Sequence, residues 1–264
     1  MGRIRLVGVG VAVAGLLAAM VAVAGPAAAA QQYAALGDSY ASGVGSRSYY
    51  ASSGSCYRSP HAYAVLDAAR VGATLTFNAC SGAKAADVQS KQLTGLSSTT
   101  HWVTVQVGGN DAGFSSVITT CAEPAWLGNC SKAVAGAQNI IRNTLPGRLD
   151  ALYNAIRAHA TTAKVIVVGY PRLFNGQDCN AATFFSPSDE SLLNQTADLI
   201  DTTIRTRASA HGFSFVNPEP AFVGHAVCDK VEWINGLSNP VMESYHPNTS
   251  GQTGYANLVD DDLT

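Results

Sequence analysis

Charge is scarce in this chain. Of its 264 residues only 13% are charged, and the formal net charge is −2. Lysine and arginine build no basic block, which argues against a nucleic-acid-binding protein, since such proteins carry a basic face or a strongly positive domain. Metal-site spacing is missing as well. There is no Cys-x-x-Cys pair and no His-Glu-x-x-His, the nearest two cysteines being Cys121 and Cys130, so zinc lacks its usual ligand pattern. Residues 31–264 contain no internal repeat, no Pro-rich or charged linker and no aromatic tandem of a carbohydrate-binding kind. One domain without binding modules is the simplest reading.

A long apolar stretch does occur at the start. After Met-Gly-Arg-Ile-Arg, the uncharged run Leu6 to Ala24 gives way to Gly25-Pro26 and an alanine-rich segment with an Ala-x-Ala site ending at Ala30. This is the pattern of a secretory signal peptide over residues 1–30. The run is also long enough to span a bilayer, so a retained anchor is the competing reading; the Gly-Pro break and the alanines favour cleavage. The expectation is a secreted monomer with no retained membrane span, whose residues 31–264 form one large domain. Export turns an even number of cysteines into a disulfide set. Cys56, Cys80, Cys121, Cys130, Cys179 and Cys228 admit many connectivities. Joining them in sequential order gives the shortest loops, so 56 to 80, 121 to 130 and 179 to 228 are the expected bridges.

Short β-like runs at 33–36, 74–79, 102–107, 164–169 and 213–216 alternate with helical spacing at 59–70, 133–159 and 188–211. On the last of these, Leu192, Thr196, Leu199, Ile204 and Ala208 follow helix-type spacing. Such alternation requires crossovers and gives an α/β fold with a mostly parallel sheet covered on both sides. In such sheets reactive groups gather at the carboxyl ends of the strands. Residues 114–131 read as the longest loop and hold Cys121 and Cys130.

The strand ends carry chemistry. In YAALGDSYASGVG (residues 33–45) the apolar run stops at Gly37-Asp38-Ser39. The second run ends in Asn78-Ala79-Cys80-Ser81-Gly82 and the third in Gly108-Gly109-Asn110-Asp111, while Glu243-Ser244-Tyr245-His246-Pro247-Asn248 lies near the C-terminus. Singly, these are a turn, a loop and a helix start. Together, in the order Ser, Gly, Asn, His, they resemble the SGNH, or GDSL, hydrolase superfamily. With the leader, the six cysteines and the Gly-Asp-Ser-Tyr-Ala-Ser-Gly opening, the chain looks like the branch of secreted bacterial lipases, esterases and phospholipases. The resemblance covers the whole mature chain. It implies a three-layer α/β/α sandwich around about five mostly parallel strands.

It also implies roles. Ser39 would be the nucleophile, competent only when a neighbouring base accepts its proton, and His246 would be that base. His61, His101, His159, His211 and His225 lack a matching motif; His225 alone is held in reserve. The base needs an acceptor on Nδ1. The superfamily pattern has Asp three residues before the His, whereas this chain has Glu243, one methylene longer. Either Glu243 completes a triad or a backbone carbonyl near Ser244 holds the ring. Implied oxyanion donors are the Ser39 backbone N–H, the Gly82 backbone N–H and the Asn110 amide. Asp38 and Asp111 are assigned to shaping their turns.

The implied reaction is hydrolysis of a carboxylic ester through an acyl-Ser39 intermediate, with no metal or organic cofactor. Phe114, Trp126, Phe184, Phe185, Phe222 and Trp233 fall in loop-like segments, where they either line an acyl groove or pack. The branch points to a small-molecule or lipid ester substrate met at a lipid interface, with acetylated polysaccharide as the enzymatic alternative. A secreted binding protein that has lost activity is the non-enzymatic alternative, and the presence of all four motif positions speaks against it.

Overall fold

The computed structural model describes residues 30–263 together with residues 1, 2 and 8. The expected leader therefore falls almost wholly outside the described residues. Among the described residues no helix is long and apolar enough to cross a membrane.

Five strands, β1 (Gln32–Gly37), β2 (Thr74–Phe77), β3 (Thr100–Gln106), β4 (Lys164–Val168) and β5 (Ser214–Val216), form one parallel sheet in the order β2-β1-β3-β4-β5. Tyr33 to Leu36 on β1 and Val165 to Val168 on β4 are all buried. Burial on both faces is why these strands read as unbroken apolar runs. The polar end of Tyr33 is satisfied across the strands, its Oη lying 3.0 Å from Thr104 Oγ1.

The helices are α1 (Ser39–Ser42), α2 (Tyr63–Arg70), α3 (Ala85–Lys91), α4 (Phe114–Ala122), α5 (Cys130–Asn143), α6 (Leu145–His159), α7 (Pro187–Ala210), α8 (Glu219–Phe222) and α9 (Thr249–Leu263). α2 packs on α9, while α3 packs on α6, and α6 and α5 pack on α7. The two groups cover the two faces and make three layers. From β1 the chain crosses to β2 on one side and returns to β3 on the other, so the topology reverses between β1 and β3. Ligands bind at such a reversal, outside the carboxyl ends of the strands. Ser39 follows β1 there, and Gly108 to Asn110 follow β3.

Several helices differ from the sequence expectation. The stretch 114–131, read as a loop, contains α4 and the start of α5. Phe114, Val117, Ile118 and Cys121 keep helical spacing, but Pro124 and Gly128 just beyond them mask it. The helix expected over 133–159 is two helices broken at Thr144. Pro146 has no N–H and crowds the carbonyl four residues back, so it begins a new helix instead of continuing the old one. α3 and α9 were not anticipated as helices.

The cysteines join in sequential order, Cys56–Cys80, Cys121–Cys130 and Cys179–Cys228. Cys179, Cys228 and Glu232 come close enough together to suggest metal ligands, but both sulfurs are committed to the third disulfide.

Candidate active site

The turn after β1 is built around a glycine. Gly37 has φ +136°, and a Cβ there would lie 2.2 Å from the Gln106 carbonyl oxygen, so no side chain fits where β1 runs against β3. The Gln92 side chain holds Gly37 on both its groups, accepting from its N–H (2.8 Å) and donating to its carbonyl (2.9 Å). Asp38 then caps α1 by accepting from the Tyr40 N–H at 2.9 Å. Ser39 is the first residue of that helix, so its own N–H has no intrahelical acceptor and is left to face the site.

His246 arrives from the other end of the chain. Asn248 Oδ1 accepts from the N–H groups of Ser250 and Gly251 and starts α9. Two residues earlier, Nε2 of His246 lies 2.8 Å from Ser39 Oγ. α9 is fixed to the serine side by buried Gln252, which accepts from the Tyr63 N–H (2.9 Å) and donates to the Tyr40 carbonyl (3.0 Å). Tyr40 Oη in turn donates to the Tyr245 carbonyl at 2.7 Å. Ser39 and His246 are thus clamped together through α1, although they are far apart in sequence.

Of the two readings left open for Nδ1, the geometry favours the backbone. Nδ1 lies 2.9 Å from the Ser244 carbonyl oxygen. Tyr245 between them has φ +59°, a left-handed conformation that non-glycine residues rarely adopt, and this bend turns the Ser244 carbonyl under the ring. A carbonyl only accepts, so Nδ1 carries the proton and Nε2 is free to accept from Ser39. Glu243, the carboxylate of the other reading, is not brought to the histidine. Its Oε1 accepts from Tyr49 Oη at 2.6 Å and its Oε2 lies 3.5 Å from Arg47 Nε. The side chain leaves the turn Val241–Glu243 toward the loop at 45–50, so its role is to hold that loop against the histidine segment.

The missing carboxylate shows in the electrostatics. Burial lowers His246 to about 4, opposed only by the bond to Ser244. The ring is therefore neutral at any pH well above 4. We expect the acid limb of kcat/KM, which reports the free enzyme, to fall near pH 4 and not near the ordinary histidine value of about 6.5. Asp38 is pushed up to about 7, chiefly by burial, against the short bond from Tyr170. Any inflection near pH 7 should accordingly vanish in Asp38→Asn. Glu243→Gln is expected to keep kcat within about tenfold of wild type, against the roughly ten-thousand-fold loss when a triad carboxylate becomes an amide. Steady-state rates across pH 3 to 9 check all three.

The oxyanion candidates sit on the two neighbouring strand ends. Asn110 shares one apolar-walled slot with Ser39, Tyr40 and His246. Its Nδ2 donates to the Ala83 carbonyl at 3.2 Å, leaving its second amide hydrogen for a ligand. That bond ties the exit of β3 to Ala83; the preceding Gly82 has φ +79° and open space where a Cβ would stand. The exit of β2 is itself held beside Ser39's turn by Cys80 N–H to Gly37 O (3.0 Å) and by the Cys56–Cys80 bridge.

Sequence reasoning missed one residue here. Tyr170 Oη donates to Asp38 Oδ2 at 2.6 Å and accepts from the Gly109 N–H at 3.3 Å, pinning the serine turn to the loop that carries Asn110. It follows β4 directly, so the strand-end rule that found the others would have reached it. Asp38 fits its assigned turn role, but Asp111 reaches further, accepting from the Ala85 N–H and from Arg148. His225, held in reserve, stacks on Trp233 and bonds the Val231 carbonyl, away from Ser39. Of the six aromatics, only Phe114 lines the slot. Phe185 and Phe222 are core residues, and Trp126 and Phe184 are exposed.

The pattern of the GDSL-like lipase/acylhydrolase family matches residues 35–253, which span β1 through the first turn of α9. The chain belongs to that family. Members of this family are ester hydrolases, and this chain is a carboxylic ester hydrolase. It is similar to lipase 1 of Streptomyces coelicolor, at 43% identity over 96% of each chain. It also resembles the crystal structure of an extracellular lipase from Streptomyces rimosus, with a TM-score of 0.83 and 42% identity over 89% of this chain and 100% of that one. A phospholipase A1 from Streptomyces albidoflavus matches equally in shape, with a TM-score of 0.83 and 40% identity over 88% of this chain and 99% of that one.

Proposed function

We propose that the protein is a secreted lipase that hydrolyses long acyl esters of lipids at a lipid interface, through an acyl-Ser39 intermediate, after loss of residues 1–30. Nε2 of His246 takes the Ser39 hydroxyl proton as Oγ attacks the ester carbonyl. The oxyanion is received by the Ser39 and Gly82 N–H groups and the Asn110 amide. Collapse expels the alcohol with the proton from Nε2 and leaves the acyl group on Oγ. Water then gives its proton to Nε2 and attacks the same carbon, releasing the fatty acid and restoring Ser39.

The observation that carries the lipid reading is the slot beside Ser39. It runs between α4, α5 and α7, walled by Val117, Ala137, Ile141, Leu193, Ala197 and Ile200. The slot is narrow, with a cavity volume of about 70 Å³ against about 400 Å³ in the open groove on the other side of His246. A slot this narrow and apolar suits a single hydrocarbon chain, with the alcohol part left to the open groove. The relatives' activities, lipase and phospholipase A1, agree with it. The test is a p-nitrophenyl ester series from acetyl to palmitoyl. Wild type should prefer the longer chains. Ala197→Phe should block the slot and lower kcat/KM for palmitoyl by about tenfold or more, since each buried methylene contributes about 0.8 kcal/mol, while acetyl turnover stays near wild type. Cleavage of acetyl alone by the wild type would refute the long-chain reading.

A further inference from the structure

Around the mouth of the groove, large apolar side chains stand in solvent. Trp126 is 82% exposed and Leu127 68%, at the tip of the α4–α5 connection. Val241 is 71% exposed and Phe184 55%. These come from three separate segments that meet at one place. The Phe184 N–H donates to the Ala122 carbonyl at 3.1 Å, setting that loop against the last turn of α4. Ala122, Glu123, Thr183, Leu237 and Val241 border a single open groove together with His246. Phe114, Ser115 and His246 border both that groove and the acyl slot. Val241 and Leu237 thus border the groove that adjoins the acyl slot, and Phe184, Trp126 and Leu127 stand one to four residues beyond its bordering Thr183 and Glu123.

We propose that this rim, with Trp126 and Leu127 at its tip, is the surface by which the protein docks on an uncharged or zwitterionic lipid layer, a reading that rests on the acyl-lipid substrate above. A tryptophan and aliphatic neighbours held outward suit the headgroup boundary, where the indole keeps its N–H wet and its ring in acyl chains. The charge pattern selects the lipid. Glu123 is the one charged residue bordering the groove, and no lysine or arginine borders it, so the attraction that draws basic segments to anionic lipid is missing. The Cys121–Cys130 bridge closes the loop behind Trp126, and a pre-shaped loop loses little freedom on docking.

The test is co-sedimentation with vesicles of a diether phosphatidylcholine, which offers no ester to cleave. Wild type is compared with Trp126→Ser/Leu127→Ser and, separately, Val241→Ser. Wild type should bind, with little change on adding salt or anionic lipid. The double variant should partition at least about tenfold more weakly, as expected from withdrawing two large apolar side chains, while kcat/KM on soluble p-nitrophenyl acetate stays at the wild-type value and reports an intact fold. No binding by wild type, equal binding by the variant, or binding that grows with anionic lipid and is lost in salt would each overturn the proposal. So would a wild-type dimer on gel filtration that the double variant abolishes, because the rim would then be covered by a second copy. Vesicle binding by a protein that cleaves no long-chain ester would sink the substrate reading and leave the docking surface standing.

Discussion

Replacing Ser39 by alanine is expected to lower kcat by about ten-thousand-fold or more, the size of loss found when a serine nucleophile is removed from a serine hydrolase. The expectation follows from uniqueness of position. Ser39 Oγ lies 2.8 Å from the Nε2 of His246 and opens into the acyl slot. The variant should otherwise stay folded. The backbone bonds that hold this turn, Asp38 N–H to Gln106 O and Ser42 N–H to Asp38 O, do not use the hydroxyl. A thermal midpoint close to wild type, beside rates at background on p-nitrophenyl esters, is the expected pair of results. Residual turnover within a hundredfold of wild type would mean that another group attacks the ester.

Asn110→Ala is expected to lower kcat by about a hundred- to a thousand-fold with little change in KM, because an oxyanion donor acts on charge that develops only in the transition state. Two effects add here. The variant loses the amide aimed at the oxyanion, and it loses the bond from Nδ2 to the Ala83 carbonyl, which ties the β3 exit to the residue after Gly82. The two donors are thus mechanically linked. Asn110→Asp should be worse, since its carboxylate repels the forming oxyanion and cannot donate to Ala83. Separate kcat and KM values for both variants decide the matter. A rise in KM alone would assign Asn110 to ground-state binding.

The middle of the sheet was legible because β1 and β4 are buried on both sides, and burial writes itself as uninterrupted apolar runs such as Val165–Val168. The active-site residues were legible for a related reason. Ser39 and Asn110 lie where β1 and β3 end at the switch point, so Gly37-Asp38-Ser39 and Gly109-Asn110 stand at the edge of a recognisable run, whereas His246, just ahead of α9, follows no strand and was legible only through the motif order. The helices hid where local and tertiary signals disagree. α4 is followed by Pro124 and Gly128, and the 133–159 pattern stays amphipathic across a break that only Pro146 reveals. Nor could sequence decide the histidine's acceptor. Glu243 stands at the expected spacing, but the left-handed turn at Tyr245 and the pull of Tyr49 send its carboxylate elsewhere, and neither is written in local composition. The acyl slot was illegible for the opposite reason. Its walls are ordinary apolar helix residues from α4, α5 and α7, which look like core until the helices are assembled around a gap.

Ser39 and His246 are proposed to act as a dyad that carries the acyl group on Ser39. That pairing is tested most directly by acid-quenching turnover of p-nitrophenyl octanoate within the first cycle and locating the acyl adduct by peptide mass spectrometry. An octanoyl group on the peptide containing Ser39, formed in step with a burst of p-nitrophenol and absent in His246→Ala, is the predicted result. Full turnover with no adduct at Ser39, or an adduct on another residue, would contradict it.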